Sequence, residues 1–119
     1  MADDVFLTST EFYAVRPDNE VVLRVQTGEG QVSGTAVLLN GRDHAFPSPN
    51  GPGVIGEGNL AGSILTVKTT VRDVRDDTNR TSLTYLLEGG KTTCRFPYSI
   101  SVSAEKGTAH YLVTFIFTA

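Results

Sequence analysis

The chain has only one cysteine, Cys94, and no tryptophan. A single cysteine cannot form an intrachain disulfide, and it excludes zinc sites built from several thiolates. The N-terminus, MADDVFLTST, lacks the basic region and apolar run of a signal peptide. No apolar stretch approaches the ~20 residues that a membrane-spanning helix needs. From these absences we expect a cytoplasmic protein that does not enter a membrane.

Charge is also scarce. Charged residues make up 19% of the chain, and ten basic against thirteen acidic residues leave a net charge of −3. A slightly acidic chain has no general attraction for nucleic-acid phosphates or anionic lipid, so we expect neither as a partner. The 39% of apolar residues can supply one core, and residues 1–119 are therefore predicted to form a single domain.

Helical periodicity is missing, and alternation with a period of two runs through the chain instead. In residues 94–102 every second side chain is bulky and its neighbours are polar, and residues 111–117 alternate in a similar way. The pair Asn40-Gly41 predicts a tight hairpin turn, because these residues readily adopt positive φ angles. Short strands separated by turns predict an all-β fold, an antiparallel β-sandwich of roughly eight strands, with a small β-barrel as the alternative.

The segment 46–62, FPSPNGPGVIGEGNLAG, contains glycines at the spacing of a dinucleotide-binding turn. Such a turn works where it leads from a strand into a helix, whose free N–H groups hold the pyrophosphate. Here prolines interrupt the glycines and a predicted strand follows, so we reject nucleotide binding. About fifteen residues without predicted regular structure remain, which favours a crossover between sheets or, as the alternative, a ligand loop.

The turn 73–80 concentrates oxygen donors, namely Asp73, Asp76, Asp77 and Asn79. Calcium binds six to eight oxygens, but the spacing here does not match an EF-hand loop. Arginines in the same turn can neutralise the carboxylates. A solvated turn is the preferred interpretation and a weak calcium site the alternative, so we expect no metal ion and no other cofactor.

His44, His110 and Cys94 are the other candidates for chemistry. Nothing in the sequence brings the two histidines together, and Cys94 begins the inward set of its strand, where it is expected to be an unreactive core residue. No serine lies in a G-x-S-x-G context. Because no catalytic constellation is present, the chain is predicted not to be an enzyme.

Binding of a sugar by exposed aromatic side chains is the remaining ligand hypothesis. Phe12, Tyr13 and Phe46 are the aromatic residues least committed to the predicted core. With the calcium candidates they define the alternative function, a sandwich that binds calcium or carbohydrate through the 46–62 loop and the 73–80 turn.

The strand 111–117, YLVTFIF, carries no charge, glycine or proline. Leu112 and Ile116 are apolar on the side predicted to be wet, so the strand must be central in its sheet or covered by another chain. Val37 and Leu39 are expected to extend the same apolar surface from a second strand. The sequence thus predicts a non-catalytic interaction module that self-associates or forms part of a larger assembly, with these four residues at the interface.

Overall fold

The structure is a computed structural model that describes residues 4–28, 31–56, 58–73, 80–102 and 108–119. These residues form nine strands and contain no helix that could span a membrane. The strands are β1 (Asp4–Ala14), β2 (Val21–Thr27), β3 (Gln31–Leu39), β4 (Arg42–His44), β5 (Gly53–Gly56), β6 (Ile64–Asp73), β7 (Arg80–Glu88), β8 (Cys94–Ser101) and β9 (Thr108–Thr118).

The strands form two sheets that pack face to face, which confirms the predicted β-sandwich over the barrel alternative. Sheet A has the strand order β1-β9-β6-β3-β4, and sheet B has the order β5-β2-β7-β8. Neighbouring strands are antiparallel in every pair except β1 and β9, which run parallel. β1 and β9 come from opposite ends of the sequence. No hairpin turn connects them, so no local sequence pattern could have predicted their pairing.

The core lies between the two sheets, as the alternation predicts. In β9 the odd-numbered side chains are buried and the even-numbered ones are partly exposed. Phe115 of sheet A makes edge-to-face contacts with Tyr85 and Phe96 of sheet B, at centroid distances of 5.9 and 5.0 Å. Each large apolar side chain buried here contributes about 1.5–3 kcal/mol, so the alternation itself accounts for much of the driving force.

Tyrosine hydroxyls also connect the two sheets. Tyr85 of β7 donates to Thr69 Oγ1 of β6 at 2.6 Å, and Tyr98 of β8 donates to Glu11 Oε2 of β1 at 2.6 Å. A buried hydroxyl without a partner costs about 1–3 kcal/mol, so these bonds are required where the rings are buried. They also explain why a carboxylate, that of Glu11, is accommodated on the inward side of β1.

The other two tyrosines reach from sheet A toward sheet B. Tyr111 shares a hydrogen bond of 2.7 Å with Thr81 Oγ1, and Tyr13 donates to the carbonyl oxygen of Thr92 at 2.6 Å. Burial raises the pKa of all four tyrosine hydroxyls above the ordinary value of 10.0. For Tyr98, burial and the hydrogen bond to Glu11 raise the pKa to about 12.

The hairpin predicted from Asn40-Gly41 joins β3 to β4. Asn40 has a φ of 52° and Gly41 a φ of 80°, the left-handed conformations that such a turn requires. The Asn40 side chain also accepts a hydrogen bond from the backbone N–H of Ile64 at 2.8 Å. The turn is thereby tied to the start of β6.

The segment 46–62 crosses from sheet A to sheet B and back, as the crossover interpretation predicted. It leaves β4 in sheet A, contributes β5 to sheet B and ends before β6 in sheet A. Val25 N donates to Asn50 O at 2.9 Å, and Thr35 Oγ1 donates to Pro49 O at 2.8 Å. The expectation of no regular structure is corrected, because Gly53–Gly56 form a strand.

Candidate functional site

Leu112 and Ile116 lie on the outer face of sheet A, which we define as the outward-pointing residues of β1, β9, β6 and β3. Their strand, β9, lies between β1 and β6 and is therefore central, one of the two situations that the sequence allowed. Both side chains are only half-buried. Backbone pairing thus protects the strand, while its outward apolar side chains remain accessible.

Ile116 is the middle residue of an apolar row that crosses three strands. Its partners in register are Phe12 of β1 and Ile64 of β6. Phe12 is 68% exposed and Ile64 is 44% exposed. Leu112 lies four residues away on the same face, about 13 Å along the strand, with Lys68 of β6 as its neighbour in register.

A second apolar region surrounds Phe6 near the N-terminal end of β1. This side chain is 73% exposed, and its ring stacks on that of His110 with centroids 4.7 Å apart and planes 17° apart. Phe6, Leu112, His110 and Lys68 border a shallow cleft of about 260 Å³. Leu112 therefore belongs to the region around Phe6, and a row of threonines (Thr10, Thr114 and Thr66) separates this region from the row centred on Ile116.

Few charges interrupt this face. Among the outward side chains described on β1, β9, β6 and β3, only Lys68 and Arg72 carry a formal charge. Arg72 lies at the end of the face, paired in register with Thr108, so Lys68 is the one charge in its middle. Threonines occupy most of the remaining outward positions, and they favour a strand without adding charge.

The placement of Val37 and Leu39 on this face is corrected by the structure. Val37 is 3% exposed within the core, and Leu39 packs against that core. The apolar residues of β3 that point outward are Ala36 and Leu38. Residues 36–39 are all apolar, so alternation gave no signal that could tell the two sides of the strand apart.

Phe6, Ile64 and Leu38 lie on this face although no sequence pattern assigned them to the surface. Phe12 was expected at the surface only as a candidate sugar contact. In β1 the inward set contains Glu11, while the outward set contains two phenylalanines, which inverts the usual pattern. The inversion is possible because the Tyr98 hydroxyl satisfies the Glu11 carboxylate. One sequence signal did indicate the outward phenylalanines. Phe6 directly precedes Leu7 and Phe12 directly precedes Tyr13, so large apolar residues must lie on both sides of the strand.

The outer face of sheet B has a different character. Leu86 points outward there, yet it is only 8% exposed. Its partners in register are Arg24 and Arg95, whose aliphatic stems flank it on both sides. Arg24 also forms a salt bridge with Glu88, Nε to Oε1 at 2.6 Å. This face is therefore charged, and its central apolar residue is covered.

The remaining candidates for chemistry are not brought together. His44 lies on β4 and bonds the Val54 carbonyl at 2.8 Å, whereas His110 lies on β9. Two strands separate them, so they are at least about 14 Å apart at ~4.8 Å per strand. No group of three or more His, Cys, Asp or Glu residues that could hold a metal ion occurs in the described part of the chain.

Cys94 is half-buried, packs against the core, and lies with Sγ 3.2 Å from Thr92 Oγ1. The calcium candidates Asp76, Asp77 and Asn79 lie outside the described residues, as does the side chain of Asp73. The preferred interpretation, a solvated turn, and the alternative of a weak calcium site therefore both stay predictions.

Two of the three aromatic residues considered for sugar binding belong to the interior. Tyr13 is buried and Phe46 packs against the core, which leaves only Phe12 exposed. The 46–62 loop does border an open cleft of about 570 Å³, lined by Arg24, Gln26 and Asn50 among others. This cleft is polar, and no exposed aromatic ring contributes to its lining.

No family model matches the chain, and no curated protein or solved structure is significantly similar to it.

Proposed function

We propose that this chain is a non-catalytic interaction module that self-associates through the outer face of sheet A. The observation that carries the proposal is the apolar character of this broad face. It holds Leu112 and four further apolar side chains that are half-exposed or exposed, and it has only one charge near its centre among the described residues. These four are Phe6, Phe12, Ile64 and Ile116. Large apolar side chains exposed together on one face of a soluble protein mark an interaction site, and this face carries two such regions close together.

The size of the face fits a partner that is a second copy. Four strands of 9–11 residues contribute to it. At ~3.3 Å per residue and ~4.8 Å per strand, the face spans roughly 600 Å² in projection, and its accessible area is larger. A stable interface needs about 800 Å² per partner. A two-fold contact between copies also places the same apolar surface on both sides.

The energetic balance favours an assembly of moderate strength. A symmetric contact buries five apolar side chains from each copy. These side chains are already partly buried in the monomer, so association gains only about half of the 1.5–3 kcal/mol that full burial of each would contribute. That amounts to about 7–15 kcal/mol, against an association cost of about 4–15 kcal/mol. Leu112 and Ile116 alone would not suffice, and Phe6, Phe12 and Ile64 supply the additional area. We expect a dimer or larger species at micromolar concentration.

The test compares charge introduced on the two outer faces. Ile116→Lys places a cation in the apolar row, and Gln26→Lys adds the same charge to the exposed surface of sheet B. Ile116→Lys is expected to lose the contact made by this face and to sediment as a smaller species than the wild type, while Gln26→Lys behaves as the wild type. Phe12→Lys serves as a second variant, because its side chain is 68% exposed and contributes little to the fold.

Two results would contradict the proposal. The first is a wild-type protein that stays monomeric across the micromolar range in sedimentation velocity. The second is an oligomer of the wild-type size that persists in both Ile116→Lys and Phe12→Lys. Circular dichroism on each variant shows that a monomer is folded, which separates dissociation from unfolding.

A ligand-binding sandwich is the second candidate, and the polar cleft beside the 46–62 loop favours it. Arg24 and the Asn50 side chain border an open space large enough for a small polar ligand such as a monosaccharide. A ligand bound only by the folded protein raises the melting temperature. Melting curves with simple sugars and with millimolar calcium test this candidate, and a rise abolished by Arg24→Ala assigns the ligand to the cleft.

A further inference from the structure

The four edge strands of the sandwich differ in how well they are protected against pairing. In sheet A the edge strand β4 has 3 residues, and in sheet B the edge strand β5 has 4. The other edge of sheet B, β8, contains Pro97, which cannot donate a backbone hydrogen bond. β1 has 11 residues and contains neither proline nor lysine. It is a long edge without the usual devices against intermolecular pairing.

The hydrogen bonds at the end of β1 show which of its backbone groups face away from the sheet. Val15 N donates to Thr118 O at 2.8 Å, on the side of β9. The carbonyl of Ala14 points the other way, where it accepts from Lys91 N at 3.0 Å. Because successive residues of a strand alternate in direction, the even-numbered residues of β1 present their N–H and C=O groups at the free edge.

The free edge also has a defined end. The turn at residues 89–92 covers the edge at Ala14, and Gly90 N donates to the Tyr13 hydroxyl at 3.0 Å. The open part of the edge therefore stops at Phe12. Its backbone groups belong to Phe6, Thr8, Thr10 and Phe12, two of which carry the most exposed large apolar side chains described.

We infer that β1 pairs antiparallel with β1 of a second copy, about a two-fold axis that passes through Ser9. Phe6 then lies opposite Phe12 of the partner, and Thr8 lies opposite Thr10 of the partner. The two residues of each pair point their N–H and C=O groups toward each other and form two hydrogen bonds. Each pair occurs on both sides of the two-fold axis, so about eight hydrogen bonds join the two strands. The two copies of sheet A become one continuous sheet of ten strands.

Cross-strand chemistry selects this register. Sliding one strand by two residues toward its N-terminus would pair Phe12 with Asp4 of the partner, and sliding it the other way would pair Phe6 with the covered Ala14. In the chosen register only Asp4, the first residue of β1, lies opposite Ala14, so the four pairs between Phe6 and Phe12 stay clear of the covered end. In the chosen register aromatic residues pair with aromatic residues and threonines with threonines, both favourable combinations in antiparallel sheets. Glu11 lies opposite Leu7 of the partner, so no like charges meet.

Edge pairing has the same partner as the proposed function, a second copy of this chain, but it does not otherwise depend on that proposal. Face packing and edge pairing are separate contacts, and they are compatible because they use different sides of β1. Edge pairing would place two outer faces of sheet A side by side, so the apolar surface available for face packing would double.

Amide hydrogen exchange measured by NMR distinguishes the two contacts. The amides of Val5, Leu7, Ser9 and Glu11 donate toward β9 and are protected in the monomer. Those of Phe6, Thr8, Thr10 and Phe12 point away from β9, have no strand partner among the described residues, and become protected only when the edge is paired. Their exchange should slow in proportion to the remaining monomer, about tenfold when 90% of the chains are paired. Face packing alone produces no such alternation.

A disulfide tests the register. The axis makes Ser9 and its symmetry mate a non-hydrogen-bonded pair with Cα atoms about 4.5 Å apart, within the 4.4–6.8 Å that disulfides span. Ser9→Cys, made together with Cys94→Ser, should form a covalent dimer on mild oxidation. Gln26→Cys in the same background is the matched control and should remain mostly monomeric on a non-reducing gel.

The outcomes separate this inference from the proposed function. Alternating protection together with the Ser9→Cys cross-link supports edge pairing, and its persistence in Ile116→Lys shows that edge pairing does not need the face. A wild-type oligomer with fast exchange at all four even-numbered amides overturns edge pairing and leaves face packing standing. A wild-type monomer at every concentration overturns both.

Discussion

The outer faces of the two sheets are built on similar alternating strands, yet they present opposite surfaces. On sheet B the outward Leu86 lies between two arginines and is 8% exposed. On sheet A the outward Ile116 lies between Phe12 and Ile64, which are themselves exposed. Whether an outward apolar residue is covered therefore depends on its partners across the sheet more than on its own strand.

The difference has a physical consequence for association. An arginine stem covers apolar surface while its guanidinium stays in water, so the centre of the outer face of sheet B is covered within one chain, although Val54 on its edge strand β5 is 49% exposed. Phenylalanine and isoleucine offer no such charged end, and the face of sheet A gains more when another apolar surface covers it. The same alternation therefore produces a charged outer face on sheet B and a largely uncharged, apolar outer face on sheet A.

Two neighbouring residues of β9 give the largest expected contrast. Phe115→Ala empties a core position and is expected to cost about 3–5 kcal/mol of unfolding free energy, because a cavity remains. Ile116→Ala changes the outer face, and in the dilute monomer it should cost no more than about 1 kcal/mol. Urea unfolding at submicromolar concentration measures both. Equal losses would mean that the outer face belongs to the protein's own core.

The tyrosine side chains packed between the two sheets should make the protein less stable in alkali. The pKa of each tyrosine hydroxyl is raised in the folded state, chiefly by burial, and that of Tyr98 is raised to about 12. The folded protein therefore holds phenolic protons more tightly than the unfolded chain. This contribution is fully present below pH ~10 and is lost as the pH rises through ~12.

Urea unfolding at a series of pH values, with phenolate absorbance followed in parallel, checks this prediction. The tyrosines should ionise as the protein unfolds. Tyr85→Phe should reduce the pH dependence and lower stability at neutral pH by about 1–2 kcal/mol, because Thr69 loses a hydrogen-bond donor. Ionisation of all four tyrosines near pH 10 in a protein that stays folded would contradict the prediction.

Lys68 offers a way to make the two faces more different. It is the charge in the middle of the apolar face of sheet A, next to Leu112 in register. Lys68→Ala should tighten self-association by about threefold to tenfold, because a cation no longer has to be desolvated in the contact. Arg95→Ala removes a charge from sheet B and should leave association unchanged. Weaker association of Lys68→Ala would show that Lys68 contributes a favourable contact.

The smallest expected effect concerns the salt bridge on sheet B. Arg24 and Glu88 are 47% and 37% exposed, so solvent screens their attraction. A double-mutant cycle with Arg24→Ala and Glu88→Ala should give a coupling of about 0.2–1 kcal/mol that declines as salt is added. A coupling that is insensitive to salt would indicate a pair more shielded from water than its exposure suggests.

Much of the architecture was predictable from local patterns. The alternation in residues 111–117 correctly assigned the buried side of β9, and Asn40-Gly41 correctly marked a hairpin. After segment 46–62 the alternation correctly predicted a strand, β6, where a nucleotide turn would lead into a helix. These predictions succeeded because side-chain direction in a strand and φ preference in a turn are properties of a few consecutive residues.

The candidate site was predictable only in part. Leu112 and Ile116 could be placed on the outward side because polar and aromatic residues alternate around them. Val37 and Leu39 were placed on the wrong side, because residues 36–39 are uniformly apolar. Leu38, which points outward, could not be distinguished from them by any local pattern.

The amino-acid sequence by itself determined that this protein is all-β, favoured a sandwich over a barrel, and indicated which side of most strands faces inward. Only the tertiary structure decided that β1 pairs parallel with β9, that Phe12 and Ile64 flank Ile116, and that arginines cover Leu86. These neighbours are tens of residues apart in the chain. Strand order and register arise from the packing of the whole core, and the chemistry of a sheet's outer face depends on that register.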